Sequence, residues 1–254
     1  MMLNAHPSNE NDFQQDGPEM SILQHFMDLR KRLLIGVIAL VITSSISFFF
    51  GEVLIQLLAK PVGGIDKLIS IEVTENIAVF MKVSLLSGFI LALPVIAYVL
   101  LGFVYQGLHK KERKWLITAI PISTILFLAG VAFAYFIMLP NALPFLLGFI
   151  GVETTPRLAN YFSFTTSLLF WIGLSFETPL VIFILAKLGL VQAADLAKQW
   201  RIAIVVIAII AAVVTPTPDP INMGLMMIPL LVLYALSVFL AWLAIHKQPQ
   251  EKEL

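Results

Sequence analysis

Four acidic residues stand where their surroundings give a carboxylate something to do. Glu177 lies inside the apolar stretch GLSFETPL, Gly173 to Leu180. A carboxylate at that depth in a membrane span is costly; such residues face a bundle interior or a wet cavity and usually mark function. The plainer alternative is a buried structural hydrogen bond. No second ionisable residue lies mid-span to partner it, which argues against a multi-residue proton relay. Asp28 lies in SILQHFMDLRKRLL, Ser21 to Leu34, four residues before Arg32. On a helix surface that spacing makes an ion pair contributing a few tenths of a kcal/mol. Glu112 is the one acid in FVYQGLHKKERKW, Phe103 to Trp115, among Lys110, Lys111, Arg113 and Lys114. Asp219 is the only charge in VTPTPDPINM, where Pro216, Pro218 and Pro220 force an extended turn.

Composition narrows what these acids can serve. Of 254 residues, 59% are hydrophobic and 13% charged, and the mean hydropathy is +0.93. Soluble domains carry roughly 25% charged residues. Half that complement cannot cover a water-facing surface, which excludes an ordinary soluble enzyme, a disordered regulator and a nucleic-acid binder with a basic face. There are no cysteines, so thiol nucleophiles and cysteine-ligated metals are excluded. His6, His25, His109 and His246 show no metal-ligand spacing. No phosphate-binding loop, dinucleotide fingerprint or nucleophile elbow occurs. The expectation is a membrane protein that is not an enzyme and uses no cofactor or metal.

Six apolar runs must position the acids: near 33–50, 77–104, 115–138, 162–186, 202–214 and 222–245. A straight span takes roughly 20 apolar residues. The first run needs part of the stretch to Leu58. The fifth is short, either a half-span or a crossing of a locally thinned bilayer, and it reads as a span because the sixth run starts a few residues later and pairs with it as a tight hairpin. With a cytoplasmic N-terminus, twelve Lys and Arg fall on the cytoplasmic side and four (Lys60, Lys67, Lys82 and Arg157) on the other. That bias follows the positive-inside rule. The predicted fold is therefore all-α, with six transmembrane helices, short fifth and sixth spans and both termini cytoplasmic. Residues 1–20 form a polar tail without the basic and apolar regions of a secretory signal, so the N-terminus is expected to be retained. Residues 21–246 form one membrane domain, and 247–254 a short cytoplasmic tail. Ser21 and Gln24 read as a capping box opening an amphipathic helix that runs into the first span. Pro94, Pro121, Pro179 and Pro229 lie within or at the ends of spans, where kinks are tolerated.

HFMDLRKRLL, GLHKKERKW, GLSFETPL and TPTPDP occur in this order and topology, and together they resemble the TatC family of the twin-arginine protein translocase. The resemblance covers nearly the whole chain after about residue 20. It implies a concave helix wall and a receptor for signal peptides with consecutive arginines. It also implies that the protein works with small single-span subunits of the TatA/TatB type, self-associates, and sits in the cell inner membrane. There it would export folded proteins on the proton motive force. The family's signal-peptide positions match Asp28, Arg30, Phe103 and Glu112. Its intramembrane glutamate matches Glu177, and its functional outward-loop positions match Pro61, Glu75, Lys82 and Asp219. Asp28 stands where the family usually has glutamate, Gln106 where it has proline, and Ile77 and Ala78 where aromatics are common. Two other classes compete: a small secondary transporter or channel using Glu177, and a passive scaffold. The first would need several polar groups converging on a midplane site.

Overall fold

The structure, a computed structural model, describes residues 22–105, 113–148, 154–214 and 220–246. The tails (1–21 and 247–254), Gln106 to Glu112, residues 149–153, and Thr215 to Asp219 lie outside the described residues, and with them Ser21, Glu112 and Asp219. Within the described residues the chain is helical, with a single isolated bridge between Ile69 and Arg157. The helices are α1 (Ile22–Phe49), α2 (Gly51–Ala59), α3 (Glu75–Tyr105), α4 (Arg113–Phe133), α5 (Leu139–Gly148), α6 (Leu158–Phe176), α7 (Thr178–Lys187), α8 (Ala193–Lys198), α9 (Trp200–Val214) and α10 (Pro220–His246).

Among the described residues, five segments are long and apolar enough to cross a bilayer: Arg30–Phe49, Glu75–Gly102, Thr118–Gly148, Leu158–Lys187 and Met223–Ala244. They coincide with five of the six predicted runs. The predicted fifth run is α9, whose 15 residues rise only about 22 Å.

Three runs differ from expectation in instructive ways. The first helix breaks at Phe50, and α2 begins a separate short helix at Gly51. A Cβ on Gly51 would run into the Phe80 ring, so glycine there lets the chain turn close against α3. The third run was expected to stop near 138, yet helix continues to Gly148. Residues Ala134–Met138 form a π-turn, and the Leu139 N–H bonds back to the Ala134 carbonyl. The wider turn re-registers the ladder just before Pro140, which has no N–H to give. The fourth run is two helices, α6 and α7, separated at Glu177.

Packing follows these breaks. α1 packs on α3, while α3, α4 and α6 pack on one another. One core gathers Val83, Met138, Leu139, Phe162, Leu168 and Ile172. A second, smaller core joins Ala186, Ala193, Ala241 and Ala244 at the junction of α7, α8 and α10. α6 thus belongs mainly to one core and α7 to the other.

The α1–α3 contact is closely spaced. A Cβ on Gly88 would lie 2.7 Å from the Ser44 backbone nitrogen, and the Thr43 hydroxyl donates to the Gly88 carbonyl at 2.7 Å. Ser44, Ser47 and Ser84 are buried in the bundle. Small residues permit this approach where lipid gives helices no hydrophobic reason to associate.

Candidate functional site

The predicted site residues separate into two ends and a middle. α3 carries both ends: its 31 residues span about 46 Å from Glu75 to Tyr105. Asp28 and Arg30 lie on the first turns of α1, and Phe103 on the last turn of α3. Because α1 and α3 pack together, their backbones share one end of the bundle. The side chains of Asp28 and Phe103 are outside the described set, as is all of Glu112. Arg30 is exposed there. A Cβ on Gly102 would run into the Arg32 guanidinium, so Arg32 reaches across to α3 beside Phe103.

Pro61, Glu75 and Lys82 collect at the opposite end. Pro61 lies in the 3-10 turn Lys60–Val62 that terminates α2. Lacking an N–H, it cannot cap the Leu57 carbonyl four residues back. The Lys60 N–H and the Tyr135 hydroxyl donate to that carbonyl instead, the latter at 2.8 Å. The Tyr161 hydroxyl donates to the Leu58 carbonyl at 2.7 Å. Two tyrosines from other helices therefore cap α2. Gly63, at φ +97°, then takes the left-handed turn that leads the chain away.

Glu75 opens α3 and is almost fully buried, at 3% exposure. Its Oε1 accepts from Arg157 Nε and, at 3.3 Å, from the Glu72 N–H. Arg157 also holds Glu72, with Nη2 to Oε1 at 2.7 Å. The bonds to Glu72 and then to Glu75 raise the Arg157 pKa above the ordinary guanidinium value. Backbone bonds reinforce the junction: the Ile69 N–H donates to the Pro156 carbonyl at 3.1 Å, and the Leu158 N–H to the Ile69 carbonyl at 2.9 Å. Glu75 is thus one half of a clamp between the loop before α3 and the start of α6. Lys82 extends the same seam, its ammonium donating to the Ser163 hydroxyl at 3.3 Å.

Arg157 was not singled out from sequence as more than one of four outward basic residues. The available signal was a basic residue on the side that positive-inside bias depletes, with two acids three apart (Glu72 and Glu75) beside the other loop. Arg157→Gln should lower the thermal midpoint and expose the loops to protease, because it leaves a buried carboxylate uncompensated. Glu75→Gln/Arg157→Gln should recover part of the midpoint. A double variant no better than Arg157→Gln alone would show that the ion pair is not what holds the loops.

Glu177 sits at the junction of α6 and α7. Pro179, buried, occupies the second position of α7 and cannot donate to the Ser175 carbonyl. The α-ladder therefore tightens, and the Glu177 N–H bonds to Leu174 at 3.1 Å. Gly173, one turn earlier, fixes the direction of the carboxylate. A Cβ on Gly130 would lie 2.9 Å from the Gly173 Cα, so α4 and α6 cross there. Glu177 on the same face turns toward α4, where the Ser123 hydroxyl is its hydrogen-bonding neighbour. Oε1 is buried with no hydrogen-bond partner. Among the described residues, the Ser123 hydroxyl is the side chain hydrogen-bonded to Glu177, whereas a midplane transport site takes several converging polar groups. Among the same residues no cluster of His, Asp and Glu could hold a metal ion.

Comparison with known proteins fits this layout. The family described as Sec-independent protein translocase protein (TatC) matches residues 24–229. The Sec-independent protein translocase protein TatC of Carboxydothermus hydrogenoformans is 40% identical over 230 residues, covering 89% of this chain and 94% of that protein. The Aquifex aeolicus protein of the same name is 38% identical, covering 91% and 98%. A crystal structure described as the twin-arginine translocase receptor TatC superposes with a TM-score of 0.79 at 38% identity, covering 87% of this chain and 99% of that one. With five long apolar helices among the described residues and these matches along most of its length, the chain is a multi-pass membrane protein and belongs to the TatC family of Sec-independent protein translocase proteins, a non-enzymatic transport family.

Proposed function

We propose that this protein is the signal-peptide receptor and core subunit of a twin-arginine translocase in a cell inner membrane. The likeness along nearly the whole chain to a twin-arginine translocase receptor carries the reading. Asp28 and Glu112 bind the consecutive arginines of the signal peptide, with Arg30 and Phe103 beside them. Bidentate carboxylate–guanidinium bonds are strong and geometrically specific, and a lysine ammonium cannot reproduce the planar fork. Single-span subunits of the TatA/TatB type and further copies of this chain complete the complex. The proton motive force drives export of the folded cargo. α9 crosses a thinned bilayer as a sixth span, so both termini face the cytoplasm. Glu177 serves a partner helix or hydrates the cavity beside it. Pro61, Glu75, Lys82 and Asp219 shape the outward face.

The test is binding of a labelled twin-arginine signal peptide to the protein in lipid nanodiscs, against the same peptide with both arginines changed to lysine. The arginine peptide should bind about tenfold tighter or better, the worth of one charge-assisted hydrogen-bond pair. Equal affinities would refute arginine recognition by this chain.

A further inference from the structure

We propose that the pocket between α2, α3 and the start of α6 holds the primary ammonium headgroup of phosphatidylethanolamine. Three polar side chains line it: Glu52 and Gln56, one turn apart on α2, and Asn76 on the first turn of α3. Leu158 of α6 and Ile65 of the 3-10 turn Ile65–Lys67 supply apolar wall. The volume is about 280 Å³, near the lower bound of roughly 300 Å³ for small-ligand sites. That suits a headgroup of a few heavy atoms.

The lining itself selects the occupant. Glu52, Gln56 and Asn76 are exposed, and among the described residues none of their side chains has a hydrogen-bond or ion-pair partner. Together they offer one carboxylate and two carboxamide oxygens. An alkyl ammonium brings three N–H donors and no acceptor, so one cation can satisfy all three. Its bond to Glu52 is charge-assisted, whereas a phosphate placed there would meet that carboxylate as a like charge. Phe80 forms a further wall. Packing fixes its ring, which lies 5.6 Å from the Phe48 ring and leaves no room for a Cβ on Gly51. An aromatic wall adds attraction for a cation. Lys60 and Lys67, at the same end of the bundle, are not among the lining residues.

Depth points to a lipid as the source of the ammonium. The apolar window of α1 ends at Phe49 and that of α3 opens at Glu75. The pocket therefore sits where both spans leave the hydrocarbon, at the level of lipid headgroups. The proposed topology makes this the outward leaflet. Ile65 lines the pocket and is 43% exposed, so the stem of a lipid whose ammonium reaches Glu52 finds apolar contact there.

Native mass spectrometry of the full chain, purified with equimolar phosphatidylethanolamine and phosphatidylcholine of identical chains, tests this directly. The two lipids carry the same net charge, but the choline nitrogen has no N–H to donate. Retained lipid should favour phosphatidylethanolamine about fivefold, the scale of one solvent-exposed charge pair. N-methyl and N,N-dimethyl phosphatidylethanolamine should fall between the two, in order of the N–H groups left. Glu52→Gln, which alters one exposed side chain, should remove the preference. Gln56→Leu/Asn76→Leu, which keeps the charge but deletes two acceptors, should reduce it. Asp66→Asn, an exposed acid that does not line the pocket, should leave it unchanged. Equal retention of the two parent lipids overturns the proposal, as does a preference that survives Glu52→Gln. An equal loss in Glu52→Gln and Asp66→Asn would also overturn it, by reducing the effect to surface charge.

Discussion

Asp28→Ala/Glu112→Ala should abolish arginine-dependent binding of a twin-arginine signal peptide in nanodiscs, with a loss well beyond tenfold. Each carboxylate offers a charge-assisted pair worth about 1.5–3 kcal/mol, and tenfold corresponds to about 1.4 kcal/mol. The single variants test whether the two acids act as one site. If they grip the same arginine pair, the double loss should differ from the sum of the single losses, the signature of coupled groups. Strict additivity would place the acids in separate sites. Salt gives an independent check. The loop around Glu112 carries four basic residues and one acid, so its distant field repels a basic peptide. Local, partly desolvated contacts are weakly screened. Affinity should therefore depend far more on the two acids than on ionic strength. A steep strengthening of binding as salt rises would show that repulsion by the cluster dominates and that recognition is not local.

The sequence carried most of the helices, because apolar length and charge bias act locally and are read one segment at a time. Leu158 to Lys187 and Met223 to Ala244 needed nothing more. What escaped depended on partners distant in sequence. Pro140 looks like a helix terminator until the π-turn at Ala134–Met138 re-registers the ladder before it. Pro179 reads as a kink, but its consequence is a helix junction that leaves Glu177 between two packing groups. The capping of α2 by Tyr135 and Tyr161 joins residues 78 and 103 positions apart, and no local pattern encodes it. Arg157 was visible only as an exception to charge bias. Its pairing with Glu75, 82 residues away, recasts Glu75 as one member of a loop clamp.

Gly88→Leu should detach α1 and remove peptide binding without touching any residue proposed to bind peptide. The reasoning runs through space rather than chemistry. A Cβ at residue 88 would lie 2.5 Å from the Ser44 Cα, and backbone cannot rotate away as a flexible side chain can. Overpacking of a well-filled contact costs about 1–3 kcal/mol, so even Gly88→Ala should lower the melting midpoint measurably. The same shift weakens the bond from Thr43 to the Gly88 carbonyl. α1 is vulnerable because α3 is its principal partner: only 11% of the apolar window in Arg30–Phe49 is buried, and the rest is half-buried or exposed. Losing that seam separates Asp28 and Arg30 from the helix that leads to Phe103. Gly36→Leu is the control, since a Cβ there meets nothing within 4 Å; it should melt and bind as the parent does. Full peptide affinity in a Gly88→Leu protein of lowered stability would mean that α1 holds the receptor face on its own, independent of its packing on α3.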